Sequence, residues 1–147
     1  MPRLILLCLP LLVLCGCSMD FGTVIATTHP TQGQLDRCRS AMYLNSNLVF
    51  SAKGYKEDGT GIDGIAWLVF STSETDPAAI FQTNTVDVSK LKEGATLPAQ
   101  QDQDWWIRAT DGPLRHSQFE LPNVKFMDVY IESTDTGGVV FINWFET

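Results

Sequence analysis

The chain has 147 residues, with 10 basic against 17 acidic side chains and four cysteines. A surface with that excess of acid repels nucleic acid and anionic lipid headgroups, which argues against a nucleic-acid-binding role. Its remaining consequences are solubility or attraction to a basic protein partner.

The first seventeen residues set the address. Arg3 gives a short positive start, and Leu4 to Cys15 is almost wholly apolar, broken only by Pro10. A run that short cannot cross a hydrocarbon core needing about 20 helical residues, but it has the flanks of a secretory signal. Leu14-Cys15-Gly16-Cys17 follows it. These four residues resemble the lipobox of bacterial lipoproteins: a leucine three places before the cysteine, a small residue just before it, and the cysteine itself. The resemblance implies a signal peptide over residues 1–16, cleavage after Gly16, diacylation of the Cys17 thiol and a membrane-tethered chain beginning at Cys17. Ser18 stands where an aspartate would imply inner-membrane retention, so the family sorting rule implies the outer membrane.

Removing residues 1–16 from the 147 leaves 131, the size of one domain, with nine basic against 17 acidic residues, a net −8. A chain of that size buries about two-thirds of its unfolded surface and needs no staples. Cys8 and Cys15 leave with the leader and Cys17 is lipidated, so Cys38 stands alone and no intramolecular disulfide is expected. Its neighbours Arg37 and Arg39 argue against deep burial and favour thiolate.

Residues 17–35 are rich in Thr, Gly, Gln and Ser and read as a lipidated tether, leaving 36–147 as the folded domain. From Ala41 the pattern is short β runs between turn signals. Ala41–Leu44 and Leu48–Ala52 flank a turn at Asn45-Ser46-Asn47, and Lys56–Gly64 is a polar, glycine-rich loop. Ile65–Phe70 is a continuous apolar run fit for a strand buried on both faces. Asp76-Pro77 opens a turn, with one helical turn over Ala78–Phe81. Thr85–Leu91 alternates, Lys92-Glu93-Gly94 turns the chain, and Trp105–Ala109 reads as a strand. Asp111-Gly112-Pro113 turns again, and Phe119–Leu121 is a short edge segment. Along Val124–Ser133, Lys125, Met127, Val129 and Ile131 share a face that packs inward. Asp135-Thr136-Gly137-Gly138 is a hairpin turn into the apolar Val139–Phe145. Six to eight strands without a helix of three turns predict a mostly β fold, an antiparallel β-sandwich or small barrel.

Motifs for chemistry are weak. Asp135-Thr136-Gly137 matches the tripeptide of retropepsin-like aspartic proteases, but that reaction needs two carboxylates sharing a proton, and a turn uses Asp and Gly for backbone reasons. From Asp58, an EF-hand register puts Ile62 and Val69 at ligand positions, which excludes that site and leaves only a looser cation reading with Glu57 and Asp63. His116-Ser117 lacks a nucleophile elbow, and adjacent residues seldom face each other. No catalytic residue, metal ligand or cofactor is therefore assigned. The aromatic residues are more suggestive. Consecutive Trp105 and Trp106 on a strand point to opposite faces, so one is exposed, and Trp144 poses the same question. Exposed tryptophan is enriched at binding hot spots, which makes Trp105, Trp106 and Trp144 candidate binding residues.

The chain thus reads as a lipid-anchored outer-membrane protein facing the periplasm and acting as a non-enzymatic protein-binding module. An inhibitor or immunity-type protein that neutralises a basic partner is its sharper form. The alternative is a structural lipoprotein of an envelope or secretion assembly. Cys17→Ser should release the protein from the membrane fraction or leave it unprocessed, as fractionation and mass spectrometry would report. A Cys17→Ser chain still cut after Gly16 and still membrane-bound would contradict the lipid anchor.

Overall fold

The backbone alternates between extended runs and tight turns, and the runs pair into one sheet. In the computed structural model, residues 24–59, 64–100 and 102–146 are described. The lipobox, Ser18 and residues 60–63 of the glycine-rich loop lie outside them. Among the described residues, seven strands form a single open antiparallel sheet: β1 (Val24–Thr27), β2 (Ser51–Asp58), β3 (Ile65–Thr72), β4 (Lys92–Glu93), β5 (Leu114–Leu121), β6 (Lys125–Thr134) and β7 (Gly137–Glu146), in the order β1-β2-β3-β7-β6-β5-β4. The expectation of a mostly β, antiparallel architecture of six to eight strands holds.

Both faces of this sheet are covered, by helix and loop rather than by exposed polar side chains. On one face, Leu68, Phe70, Met127, Val129, Ile131, Val140 and Ile142 pack beneath Cys38 of helix α1 (Gln32–Ala41) and Met42 at its end, with Leu44, Leu48, Ile80 and Phe81. On the other, Val69, Tyr130, Val139 and Phe141 pack beneath Ala95, Leu97, Trp105 and Trp106. The 41-residue excursion between β3 and β5 supplies much of both layers. Its first half, with α2 (Pro77–Ile80) and a 3-10 turn at Val88–Lys90, crosses the first face. At the sheet edge it forms β4, and residues 94–110 return across the second. Double coverage explains why β3 and β7 are apolar on successive residues, since a strand buried on both faces has no polar side to keep.

Several expected elements form where the pattern was strong. The Met127, Val129 and Ile131 face of β6 is buried, the 65–70 run is the core of β3, and Asp135-Thr136 is the two-residue turn joining Thr134 to its partner Gly137. Others differ. Structure begins before residue 36: β1 pairs with β2, and α1 spans Gln32–Ala41. Thr31 caps α1, its hydroxyl accepting from Gln34 N while Gln34 Oε1 accepts from Thr31 N, a reciprocal capping box. The helix ends with Leu44 N donating to Arg39 O and Tyr43 N to Ser40 O, and Tyr43 takes the left-handed conformation that glycine usually fills. Cys38 is buried, contrary to expectation, because its arginine neighbours project from other sides of the helix. Burial pushes its thiol up to about 12 and outweighs Arg37, so it is protonated and unreactive. Residues 85–91 turn rather than extend, and Lys92-Glu93 pairs with β5 instead of turning. β5 is a full eight-residue strand.

Two turn positions carry opposite backbone requirements. Gly137 has φ +145°, and a Cβ there would overlap the Thr72 carbonyl oxygen of β3. Val124, in the loop between β5 and β6, is a β-branched residue at φ +57°. Gly137→Ala should lower unfolding stability by about 2–4 kcal/mol through strain and overlap. Val124→Gly should raise it by about 1 kcal/mol by relieving the left-handed penalty. Urea denaturation of both variants checks the two signs.

Candidate functional site

Among the described residues of the 94–110 segment no strand or helix holds the shape, so side chains hold it. The main anchor is Glu132, opposite Leu114 in the sheet and 0% exposed. Its carboxylate accepts from Ala109 N, Thr110 N and Thr110 Oγ1, each at 2.8 Å, and lies 3.4 Å from Arg108 Nε in an ion pair without hydrogen-bond alignment. Arg108 in turn donates to Gly112 O. Burial alone would raise the Glu132 pKa. The two backbone donors, the Thr110 hydroxyl and Arg108 outweigh it and hold the group below its ordinary value.

The second anchor is aromatic. The strand expected at Trp105–Ala109 does not form: the chain turns through 102–106, with Gln103 N donating to Gln100 O and Trp106 N to Gln103 O. A turn removes the strict alternation of a strand, so both indoles reach the same face of the sheet. Trp106 is buried edge-on against Phe141, ring centroids 5.5 Å apart, and donates through Nε1 to Pro98 O at 2.9 Å. Trp105 is half-buried and meets Trp106 edge to face at 6.3 Å. Its ring lies against Gly54 of β2, where any Cβ would overlap it. The register shifts between Ala52 and Gly54 in a β-bulge, and the glycine leaves a bare patch of backbone for the indole.

These anchors shape a concavity of about 590 Å³ lined by Gln100, Asp102, Gln103, Asp104, Trp106 and Ile107. Asp102 and Asp104 are exposed, and Ile107 is 66% exposed. Two carboxylates beside an apolar wall fit a cationic side chain, the carboxylates taking its charge and Ile107 its aliphatic stem.

The other candidates fall elsewhere. Trp144, on β7, is half-buried on the opposite face, with Lys125 Nζ 5.2 Å from its ring centre. The three tryptophans therefore do not form one surface. His116 Nε2 is 3.1 Å from Asp128 Oδ1, and its ring stacks on Tyr130 at 4.3 Å. Ser117 points to the other side of β5, so the His-Ser pair is not brought together. Asp135 sits at its turn. Among the described residues no group of three or more His, Cys, Asp or Glu is placed to hold a metal, and no helix is long and apolar enough to cross a membrane. Glu132 and Gly54 escape sequence reading: one looks like a surface glutamate, and the other like a weak point in a polar segment. No protein-family model, curated protein or solved structure matches the chain.

Glu132→Ala should cost about 2–4 kcal/mol, because it leaves buried N–H donors and Arg108 without their acceptor. The carboxylate's pKa is depressed on folding, so its contribution is full above the unfolded value of about 4.3 and is lost as pH falls through the lower folded value. Urea midpoints should therefore fall on acidification below about pH 4.3. The fall should be shallower in Glu132→Ala, which lacks that titrating group.

Proposed function

We propose that this protein is a non-enzymatic, protein-binding lipoprotein anchored in the outer membrane and facing the periplasm, and that residues 94–110 are its partner-binding surface. The observation that carries the reading is the concavity of Asp102, Asp104 and Ile107 over buried Trp106, on a segment fixed to the sheet by Glu132. A loop already held in shape gives up little conformational freedom on binding, which is what an irregular recognition surface needs. The partner offers a lysine or arginine to the two aspartates. The net −8 of residues 17–147 favours encounter with a basic protein at long range. An inhibitor or immunity-type protein that neutralises a basic toxin or hydrolase fits this chemistry. The anchor rests on the lipobox resemblance alone.

A photo-crosslinking residue at Ile107 in intact cells should give a discrete protein adduct, and one at exposed Val49, in the segment packed on the other face, should not. The double variant Asp102→Lys/Asp104→Lys should remove the Ile107 adduct and weaken the isolated partner by about 30-fold, the size of one hot spot. Equal adducts at both positions, or an Ile107 adduct indifferent to charge reversal, would count against this surface.

A further inference from the structure

On the opposite face of the sheet, α1 does not close fully onto the strands. Between them lies a cavity of about 180 Å³ with Cys38, Ala41, Met42, Tyr55, Ala66 and Trp144 around it, together with the charged Arg37 and Glu57. Most of this wall is apolar, and the Cys38 thiol belongs to it, being protonated. The size is close to that of apolar cavities, about 150 Å³, that admit a benzene ring.

Three features give the cavity a direction. The Trp144 indole Nε1 is buried and has no hydrogen-bond partner, although Trp144 forms one wall. The polar groups gather at one side. Arg37 lies 3.3 Å from Glu57 Oε2, both at least 40% exposed, and Tyr55 donates its hydroxyl to the same oxygen. Glu57 is thereby committed. Beyond Arg37, a second concavity of about 390 Å³ continues past Ala41, Ser40, Tyr43 and Asn123 to Lys125. Arg37 and Ala41 border both concavities, and Lys125, which lines the second, lies over the Trp144 ring and pairs with Glu146 at 3.6 Å. Each of these cations is paired with one partly exposed carboxylate, so an otherwise acidic chain is locally balanced beside the cavity.

We infer that this space binds a small amphipathic carboxylate: its short acyl chain or single ring fills the cavity beside Ala66, and its carboxylate accepts from Trp144 Nε1 between Arg37 and Lys125. This site is separate from the protein-binding surface and does not depend on it.

Hexanoate, hexanol and hexylamine, three probes with one six-carbon body, test it on the full chain purified in detergent. Hexanoate should shift the Trp144 indole N–H resonance saturably, that resonance being identified by its loss in Trp144→Phe. Calorimetry should show hexanol binding at least 10-fold more weakly than hexanoate, and no binding of hexylamine. Ala66→Leu, which fills the cavity, should abolish binding. Trp144→Phe keeps a ring in place but removes the donor, and should weaken hexanoate about 10-fold. Arg37→Gln/Lys125→Gln should remove the preference for hexanoate over hexanol. Equal binding of the three probes, or unchanged hexanoate binding in Trp144→Phe, would overturn the proposal. The second result decides the matter even if Ala66→Leu fails to fold.

Discussion

A buried carboxylate holds one layer of this protein in place. Residues 94–110 cross a sheet face with few backbone hydrogen bonds of their own, and Glu132 gathers three donors from Ala109 and Thr110 at the end of that path. A buried charge is tolerated only when hydrogen bonds and an opposite charge replace its lost hydration. Here the donors come from a different element than the acceptor, so satisfying the charge and docking the segment are the same event. Gly54 and the Trp pair fix the other part of the path. Without them the apolar patch of Val69, Tyr130, Val139 and Phe141 would face water, and the chain would lose its second core.

Legibility in the sequence followed how local the cause was. β6 and β3 were readable because strand alternation and a continuous apolar run are written in neighbouring residues. The hairpin at Asp135-Thr136 was readable for the same reason, since turn chemistry is a property of four residues. β2 was not: Ser51–Asp58 is mostly polar, its last three residues read as the start of a glycine-rich loop, and Gly54 supplies no side chain to mark a face. Its face is completed by Trp105, about fifty residues later, a cause that no local window contains. α1 left a trace in the Thr31-Gln32-Gly33-Gln34 capping box, but its apolar stripe is thin and it ends on Tyr43 rather than glycine.

The same distinction governs the sites. An acidic chain with exposed tryptophan was a reasonable reading of Trp105 and Trp106, and both do lie at or under the proposed surface. They are supports, with Trp106 forming the floor and Trp105 clamping the segment to β2, while exposed Ile107 and the two aspartates form the approachable part. A strand register would have sent the indoles to opposite faces; the turn at 102–106 sends them to one. Cys38 shows the converse error, where flanking charges suggested exposure but helical geometry separated residue 38 from both neighbours.

β6 carries groups belonging to both proposed sites and also keeps them apart. Glu132 holds the acidic surface on one face, and Lys125 borders the cavity on the other. Seven positions of extended strand separate them, about 23 Å at 3.3 Å per residue. No hydrogen bond or ion pair described here joins their partners, since Glu132 engages Arg108, Ala109 and Thr110, and Lys125 pairs with Glu146. Sites that far apart without shared partners have additive free energies. Coupling between them would need an element with two arrangements that both sites bias, and a strand paired on both sides from Lys125 to Glu132 is a poor candidate. The sheet therefore acts as a partition between the acidic surface proposed for a protein partner and the cavity proposed for a small amphipathic carboxylate.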